Sequence, residues 1–252
     1  MQTSRLRLTE ILILLAATSA AFGQGNVYSI NVVGYYNRNV VAGDNLIANQ
    51  LGYGTGGQYS NTLDNVLTYG VADGSTFTEW DPTANAFLPL SVFNAAQTNW
   101  SINYTFNLGQ GGVLHSPVAT TCTFVGELDG SIYNINTGEY NWNPGYGPGY
   151  YLLSCPVPFS DETFQEIVGR DPTDGEWVKI LNEATQTYTV TTYHDGLGWD
   201  NGDPDLGVGQ AAWFDLGPVV VPEPSAGLLL AAACTVTLLR KRRQNPAGNR
   251  RQ

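Results

Sequence analysis

Bond-breaking chemistry in a protein starts from an imidazole, a thiolate, an activated hydroxyl or a pair of carboxylates. This chain holds two histidines, His115 and His194, and neither sits in a recognisable catalytic context. His194 adjoins Asp195, but neighbours along a strand point to opposite faces. The chain contains no Gly-x-Ser-x-Gly elbow, no His-Glu-x-x-His pair and no glycine loop built to cradle phosphate. Carboxylates are plentiful, at 22 Asp and Glu, and a glycosidase needs two of them at a suitable separation. The reading is therefore a non-enzymatic protein, with a carbohydrate-active hydrolase using paired carboxylates as the alternative.

Two clusters could hold a ligand. Between residues 140 and 151 Trp142, Tyr146 and Tyr150 stand among Asn, Gly and Pro. Flat rings beside amide side chains suit the face of a sugar, and the same rings could instead pack two halves of the chain together. Further on, Asp200, Asp203 and Asp205 offer oxygen ligands of the kind Ca²⁺ accepts. Their spacing is not that of an EF-hand, and a solvated turn is the competing explanation. No other cofactor is suggested.

The elements that must position these residues come in duplicate. Leu46-Ile47-Ala48 is answered by Leu152-Leu153-Ser154, and Thr62 to Leu67 by Thr163 to Val168. Asp73-Gly74 before Thr76–Trp80 is answered by Asp174-Gly175 before Trp177–Leu181. Trp100 finds Trp199, and Gly109-Gln110-Gly111-Gly112-Val113-Leu114 finds Gly209-Gln210-Ala211-Ala212-Trp213-Phe214. Each unit thus predicts a short apolar strand buried on both faces and a one- or two-turn helix, with Asn61 and Asp161 at the N-cap positions. A turn-fed strand and a glycine-led closing strand complete it. Thr120 to Leu128 adds a strand to the first unit.

Composition favours β-structure: Gly, Asn, Thr and Tyr are abundant and lysine is scarce. Residues 24–221 carry three basic side chains (Arg38, Arg170, Lys179) against 20 acidic ones, which argues against nucleic acid, whose phosphates attract Lys and Arg. Arg5 and Arg7, an apolar run from Ile11 to Ala17 and the small-residue site Ala21-Phe22-Gly23 read as a secretory signal cleaved after Gly23. Cys122 and Cys155 are the one pair in the body, because Cys234 belongs to the tail. Export permits a disulfide, with two buried free thiols as the expected state.

The tail runs Pro222-Glu223-Pro224, an uncharged stretch from Ser225 to Leu239, then Arg240-Lys241-Arg242-Arg243. Fifteen residues fall short of the roughly 20 of an ordinary membrane span. The basic cluster would hold the C-terminus in the cytoplasm, so a plain anchor is one reading. The three parts in this order resemble the PEP-CTERM sorting signal of exported bacterial proteins. That resemblance implies recognition of Pro222, Glu223 and Pro224 by an exosortase, a membrane transpeptidase, and delivery to the cell surface or the exopolysaccharide matrix of a biofilm. The duplicated pattern is similar to a β-rich module of secreted bacterial proteins. The stretch Val27-Tyr28-Ser29-Ile30-Asn31-Val32-Val33-Gly34-Tyr35 looks like the start of exported proteins from Verrucomicrobia-type bacteria.

The expected organisation is a signal peptide over residues 1–23, a first β-rich unit over 24–139 and a linker over 140–148. A second unit over 149–221 and a sorting tail over 222–252 follow. The fold class is all-β and sandwich-like, with one short helix per unit and a hydrophobic helix at either end of the chain. The expected function is structural or weakly carbohydrate-binding, with the tail transiently holding the protein in the inner membrane.

Overall fold

A computed structural model describes residues 33–217, apart from 56, 160 and 161. The expected signal segment, the expected sorting tail with Pro222, Glu223 and Pro224, and the cap candidate Asp161 lie outside the described residues. The described chain forms one compact unit.

In chain order, β1 (Val33–Val40) and β2 (Gly43–Ala48) precede the small hairpin β3 (Gly54–Thr55) and β4 (Gln58–Tyr59). A helix α1 (Leu63–Val66) leads to β5 (Thr76–Asp81), β6 (Ala86–Phe87), β7 (Ser91–Asn94) and β8 (Asn99–Trp100). Then come β9 (Gly111–Ser116), β10 (Thr120–Glu127) and the hairpin β11 (Tyr133–Asn134) with β12 (Glu139–Tyr140). The remainder is β13 (Gly149–Leu153), helix α2 (Phe164–Val168), β14 (Trp177–Asn182), β15 (Thr187–His194), β16 (Gly198–Trp199) and β17 (Ala212–Leu216). The described residues are all-β with two short helices.

The two main sheets have the same strand order. One runs β2-β9-β5-β7-β8, with β6 beside β5, and the other runs β13-β17-β14-β15-β16. Every named strand pair is antiparallel, and the registers correspond. Val113 lies opposite Leu46 and Thr78, as Trp213 lies opposite Leu152 and Lys179. A separate ribbon joins β1 to β10.

Alternation along the strands sorts side chains into three cores. Leu46 and Ala48 face Leu152, Leu181, Ala211 and Trp213 in a cluster between the two sheets. Ile47, Phe77 and Leu114 point the other way, onto α1 and the inner face of the β1–β10 ribbon. On the second sheet Leu153, Val178 and Phe214 likewise point outward, onto α2. The strands Leu46-Ile47-Ala48 and Leu152-Leu153 are thus buried on both faces, as their unbroken apolar runs predict. Phe77, Phe106, Phe124 and Phe214 are fully enclosed, each contributing about 2–3 kcal/mol relative to exposure. Ile132, Tyr133 and Tyr140 precede or begin the expected linker, yet they pack on the second core. That segment covers the second sheet much as the ribbon covers the first.

Both helices start later than their sequence suggests, the first by one residue and the second by two. The N-caps are Thr62 and Thr163, in place of Asn61 and Asp161. Thr163 forms a capping box with Glu166, and Gly169 closes α2 in the left-handed region at φ 80°. Asn61 is buried and serves another turn: its Oδ1 accepts the Tyr53 N–H at 2.7 Å.

At two corners the sheets exchange matching backbone contacts. Ala48 N–H donates to the Gly209 carbonyl at 3.0 Å, and Ser154 N–H donates to the Gly109 carbonyl at 3.0 Å. Bridges pair Ile47 with Gln210 at one corner and Gln110 with Leu153 at the other. The preceding turns are alike too, with Asn107 N–H donating to Gln110 Oε1 and Gly207 N–H to Gln210 Oε1, both at 3.2 Å.

Candidate functional site

The two corners are alike in backbone and unlike in side chains. The corner at Gln110 and Leu153 holds an open cleft of about 240 Å³. Its walls are Trp80 of β5, Pro82 just after it, Tyr146 from the loop entering β13 and Tyr151 from β13 itself. Asn107 and Gln110 supply amides, over a leucine floor. The volume lies below the range of roughly 300–1,000 Å³ usual for drug-sized ligands, so one ring-sized group fits.

The walls are held rigidly. Trp80 donates its indole N–H to the Tyr150 carbonyl at 2.7 Å. Its ring meets Trp213 edge-on, with centroids 5.3 Å apart. Tyr146 leans on Tyr151 at 5.2 Å, and Tyr151 donates its hydroxyl to the Gly147 carbonyl at 3.2 Å. Burial, with Tyr151 nearby, pushes the Tyr146 phenol up to about 12, so it remains a neutral hydroxyl. None of the lining side chains is charged.

A buried acid stands behind the amides. Glu79 is 4% exposed, and its Oε2 accepts from Gln110 Nε2 at 3.0 Å. Gln110 Oε1 in turn accepts from the Asn107 backbone N–H at 3.2 Å and from Asn107 Nδ2 at 3.3 Å. Burial raises the Glu79 carboxyl to about 7, the Gln110 bond offsetting part of the rise.

The corresponding corner, at Ile47 and Gln210, has none of this. Strand register places Ile180 where Glu79 stands, Leu181 for Trp80 and Asn45 for Tyr151. Glu183 follows β14 at the place where Pro82 follows β5, and Arg38 reaches across from the ribbon to pair with it. The two side chains are 15% and 13% exposed. Similar backbone thus carries an aromatic cleft at one corner and a half-buried ion pair at the other.

The three predicted aromatic residues separate. Tyr146 lines the cleft. Tyr150 stacks flat on Trp213 at 4.7 Å within the inter-sheet core. Trp142 packs on the second core and donates its indole N–H to the Ile167 carbonyl at 2.9 Å. For Trp142 and Tyr150 the packing role therefore prevails over an exposed sugar platform.

The acidic loop is not drawn into a cation cage. Asp200 Oδ1 accepts from the Thr192 N–H at 2.8 Å and from Thr191 Oγ1 at 3.3 Å. Those bonds, the Thr192 one foremost, lower its pKa. In the first sheet Ser101 Oγ does the same for the Val92 N–H at 2.9 Å, so Asp200 serves the turn. Asp203 and Asp205 are exposed. Among the described residues no three His, Cys, Asp or Glu side chains gather where a metal could be held.

The remaining reactive groups are engaged singly. Glu162, fully buried, accepts from Gln50 Nε2, Ser154 Oγ and the Cys155 N–H. Glu176 takes both guanidinium nitrogens of Arg170, at 2.6 and 2.9 Å. His115 pairs with Asp44 at 2.7 Å on the surface, and His194 stands 3.8 Å from Asp174. Cys122 and Cys155 are free and buried in different cores. Burial pushes their thiols up to about 11 and about 12, the direction of inert thiols.

Of the cleft and the acid behind it, the sequence pattern singles out Tyr146 and does not single out Trp80, Tyr151, Asn107, Gln110 or Glu79. Gln110 lies within the duplicated Gly-Gln motif, which reads as the head of a closing strand. Nothing local distinguishes Glu79 from other acids, because its burial comes from a neighbouring strand. No family model, no curated protein and no solved structure matches the chain.

Proposed function

We propose that this is an exported, non-enzymatic bacterial protein of two tandem β-units that binds neutral carbohydrate at the cell surface or in the extracellular matrix. The aromatic cleft at the Gln110 corner carries the binding reading. Trp80, Tyr146 and Tyr151 offer apolar faces for a pyranose ring, and Asn107 and Gln110 offer amides to its hydroxyls. A lining without charge, in an acidic body, favours neutral sugars over uronates or sulfated chains. The matched strand orders and reciprocal corner contacts support a duplicated ancestor whose corners have since diverged.

The route out of the cell rests on the sequence. Residues 1–23 act as the signal peptide, and the tail over 222–252 resembles a PEP-CTERM signal. In this proposal an exosortase-type transpeptidase recognises Pro222, Glu223 and Pro224 after residues 225–239 have paused in the inner membrane. Replacing those three residues with alanine should leave unprocessed protein in that membrane. Normal surface delivery of the variant would rule the sorting step out.

The binding reading is tested by titrating the full chain, in mild detergent, with neutral tetrasaccharides of glucose, galactose, mannose and N-acetylglucosamine, and with oligogalacturonate. Heat of binding is expected from at least one neutral sugar and not from the uronate. Silence from every neutral sugar refutes carbohydrate binding, and steady release of reducing ends would refute the non-enzymatic assignment.

A further inference from the structure

We propose that Glu79 is the positioning residue of the cleft, fixing the amides of Gln110 and Asn107 in the orientation that receives a sugar hydroxyl. This inference rests on the carbohydrate reading of the same cleft. A terminal amide can lie either way round, and its partners decide which. Here Glu79 Oε2 can only accept from Gln110 when ionised, so Gln110 must present Nε2 to it and Oε1 to Asn107. Asn107 Nδ2 is then committed to Gln110. That leaves Asn107 Oδ1 to accept from a sugar hydroxyl, and the second Nε2 hydrogen of Gln110 to donate to one.

The second corner serves as an internal control. Glu79 occupies the position of Ile180, so this strand geometry accommodates an aliphatic side chain. Burying a carboxyl instead is costly, and Glu79 bears that cost incompletely satisfied. Its Oε1 is buried and has no hydrogen-bond partner among the described residues. An acid kept at the one corner that carries the aromatic walls and the second amide is explained by the ligand those walls take. Packing alone does not call for it.

The arrangement carries a pH signature. Burial places the Glu79 carboxyl near 7, and an ionised acceptor holds an amide N–H more firmly than a neutral one. The titratable neighbour facing it is Tyr104, whose hydroxyl donates to the Pro89 carbonyl at 2.8 Å. Its own pKa is raised by burial and by Glu79, so it stays neutral through this range. A neutral sugar does not titrate, and its affinity should therefore rise as Glu79 ionises.

The test is calorimetric titration of the full chain with the neutral tetrasaccharide that binds, between about pH 5.5 and about pH 8.5. Wild type should bind about fivefold tighter at the upper end. Glu79→Gln, which can accept only through a neutral carbonyl, should bind at the wild-type acidic value throughout. Glu79→Ile, copying the second corner, should bind about tenfold more weakly than wild type at the upper end. Glu79→Gln retains Glu162, so its difference from wild type isolates Glu79, and it remains decisive if Glu79→Ile unfolds. A Glu79→Gln profile that tracks wild type overturns the positioning role while leaving sugar binding intact. Absence of binding by wild type removes both.

Discussion

Gln50 and Glu162 share a hydrogen bond inside the protein, one from the first unit and the other, fully buried, from the second. The Gln50 side chain also accepts the Gly209 N–H at 2.8 Å and donates to the Cys155 carbonyl at 3.2 Å. One amide therefore serves four groups across the joint, Ser154 Oγ at 3.2 Å included, and an unsatisfied polar group at this depth would cost about 1–3 kcal/mol. Glu162 itself receives three donors yet remains hard to ionise, because loss of water outweighs them.

Stability should therefore depend on pH through Glu162. Burial raises its pKa from 4.5 to about 8, with the Cys155, Gln50 and Ser154 bonds lowering it in part. Below 4.5 the carboxyl is protonated in both folded and unfolded chains, and its stabilising contribution is complete. Above that value the unfolded chain releases the proton while the folded protein keeps it, so stability falls until about pH 8 and then levels. Urea midpoints measured across this range should decline for wild type. Glu162→Gln should show a shallower decline, the remainder arising from Glu79 and Glu183, whose raised pKa values act with the same sign. An unchanged slope would place the buried proton elsewhere.

The two corner glycines, alike in sequence, should differ in tolerance. Gly109 and Gly209 have φ of 72° and 69°, so alanine at either costs about 1–2 kcal/mol of backbone strain. A Cβ on Gly209 would lie 2.6 Å from the Tyr36 ring. Tyr36 cannot easily retreat, being stacked on Phe124 at 4.8 Å and bonded to the Ala48 carbonyl at 2.7 Å. On Gly109 the nearest atom is 3.2 Å away. Gly209→Ala should thus lose about 1–3 kcal/mol more than Gly109→Ala, read from denaturant unfolding. Equal losses would contradict the Tyr36 contact.

Trp142 and Tyr146, four residues apart, should fail in opposite ways. Trp142→Ala removes a ring from the second core and its bond to Ile167, at about 3 kcal/mol. Oligosaccharide affinity of the folded fraction should stay the same. Tyr146→Ala removes a cleft wall, so affinity should fall about tenfold with a smaller change in melting temperature. Paired calorimetry and thermal unfolding separate the two effects.

Part of this architecture is written locally. Unbroken apolar triplets mark strands covered on both faces, and Asp-Gly pairs mark the turns that feed β5 and β14. The spacing of apolar residues marks the two short helices, displaced by one residue and by two because threonine took the cap. Those features depend on neighbours within a few positions, and chain order displays them. The matched motifs are legible for the same reason, since they recur at a nearly constant offset.

The cleft could not be read this way. Trp80, Asn107, Gln110, Tyr146 and Tyr151 come from three separate segments that meet only when two sheets close on each other. Side chains alike in type were sent to different duties by that closure: Tyr146 to a cleft wall, Tyr150 to a stack on Trp213, and Trp142 to a core. Composition and local pattern decided that this chain would be largely β-structure. Tertiary packing decided which corner opens, because burial, hydrogen-bond partners and charge at each corner are set by residues distant in the chain.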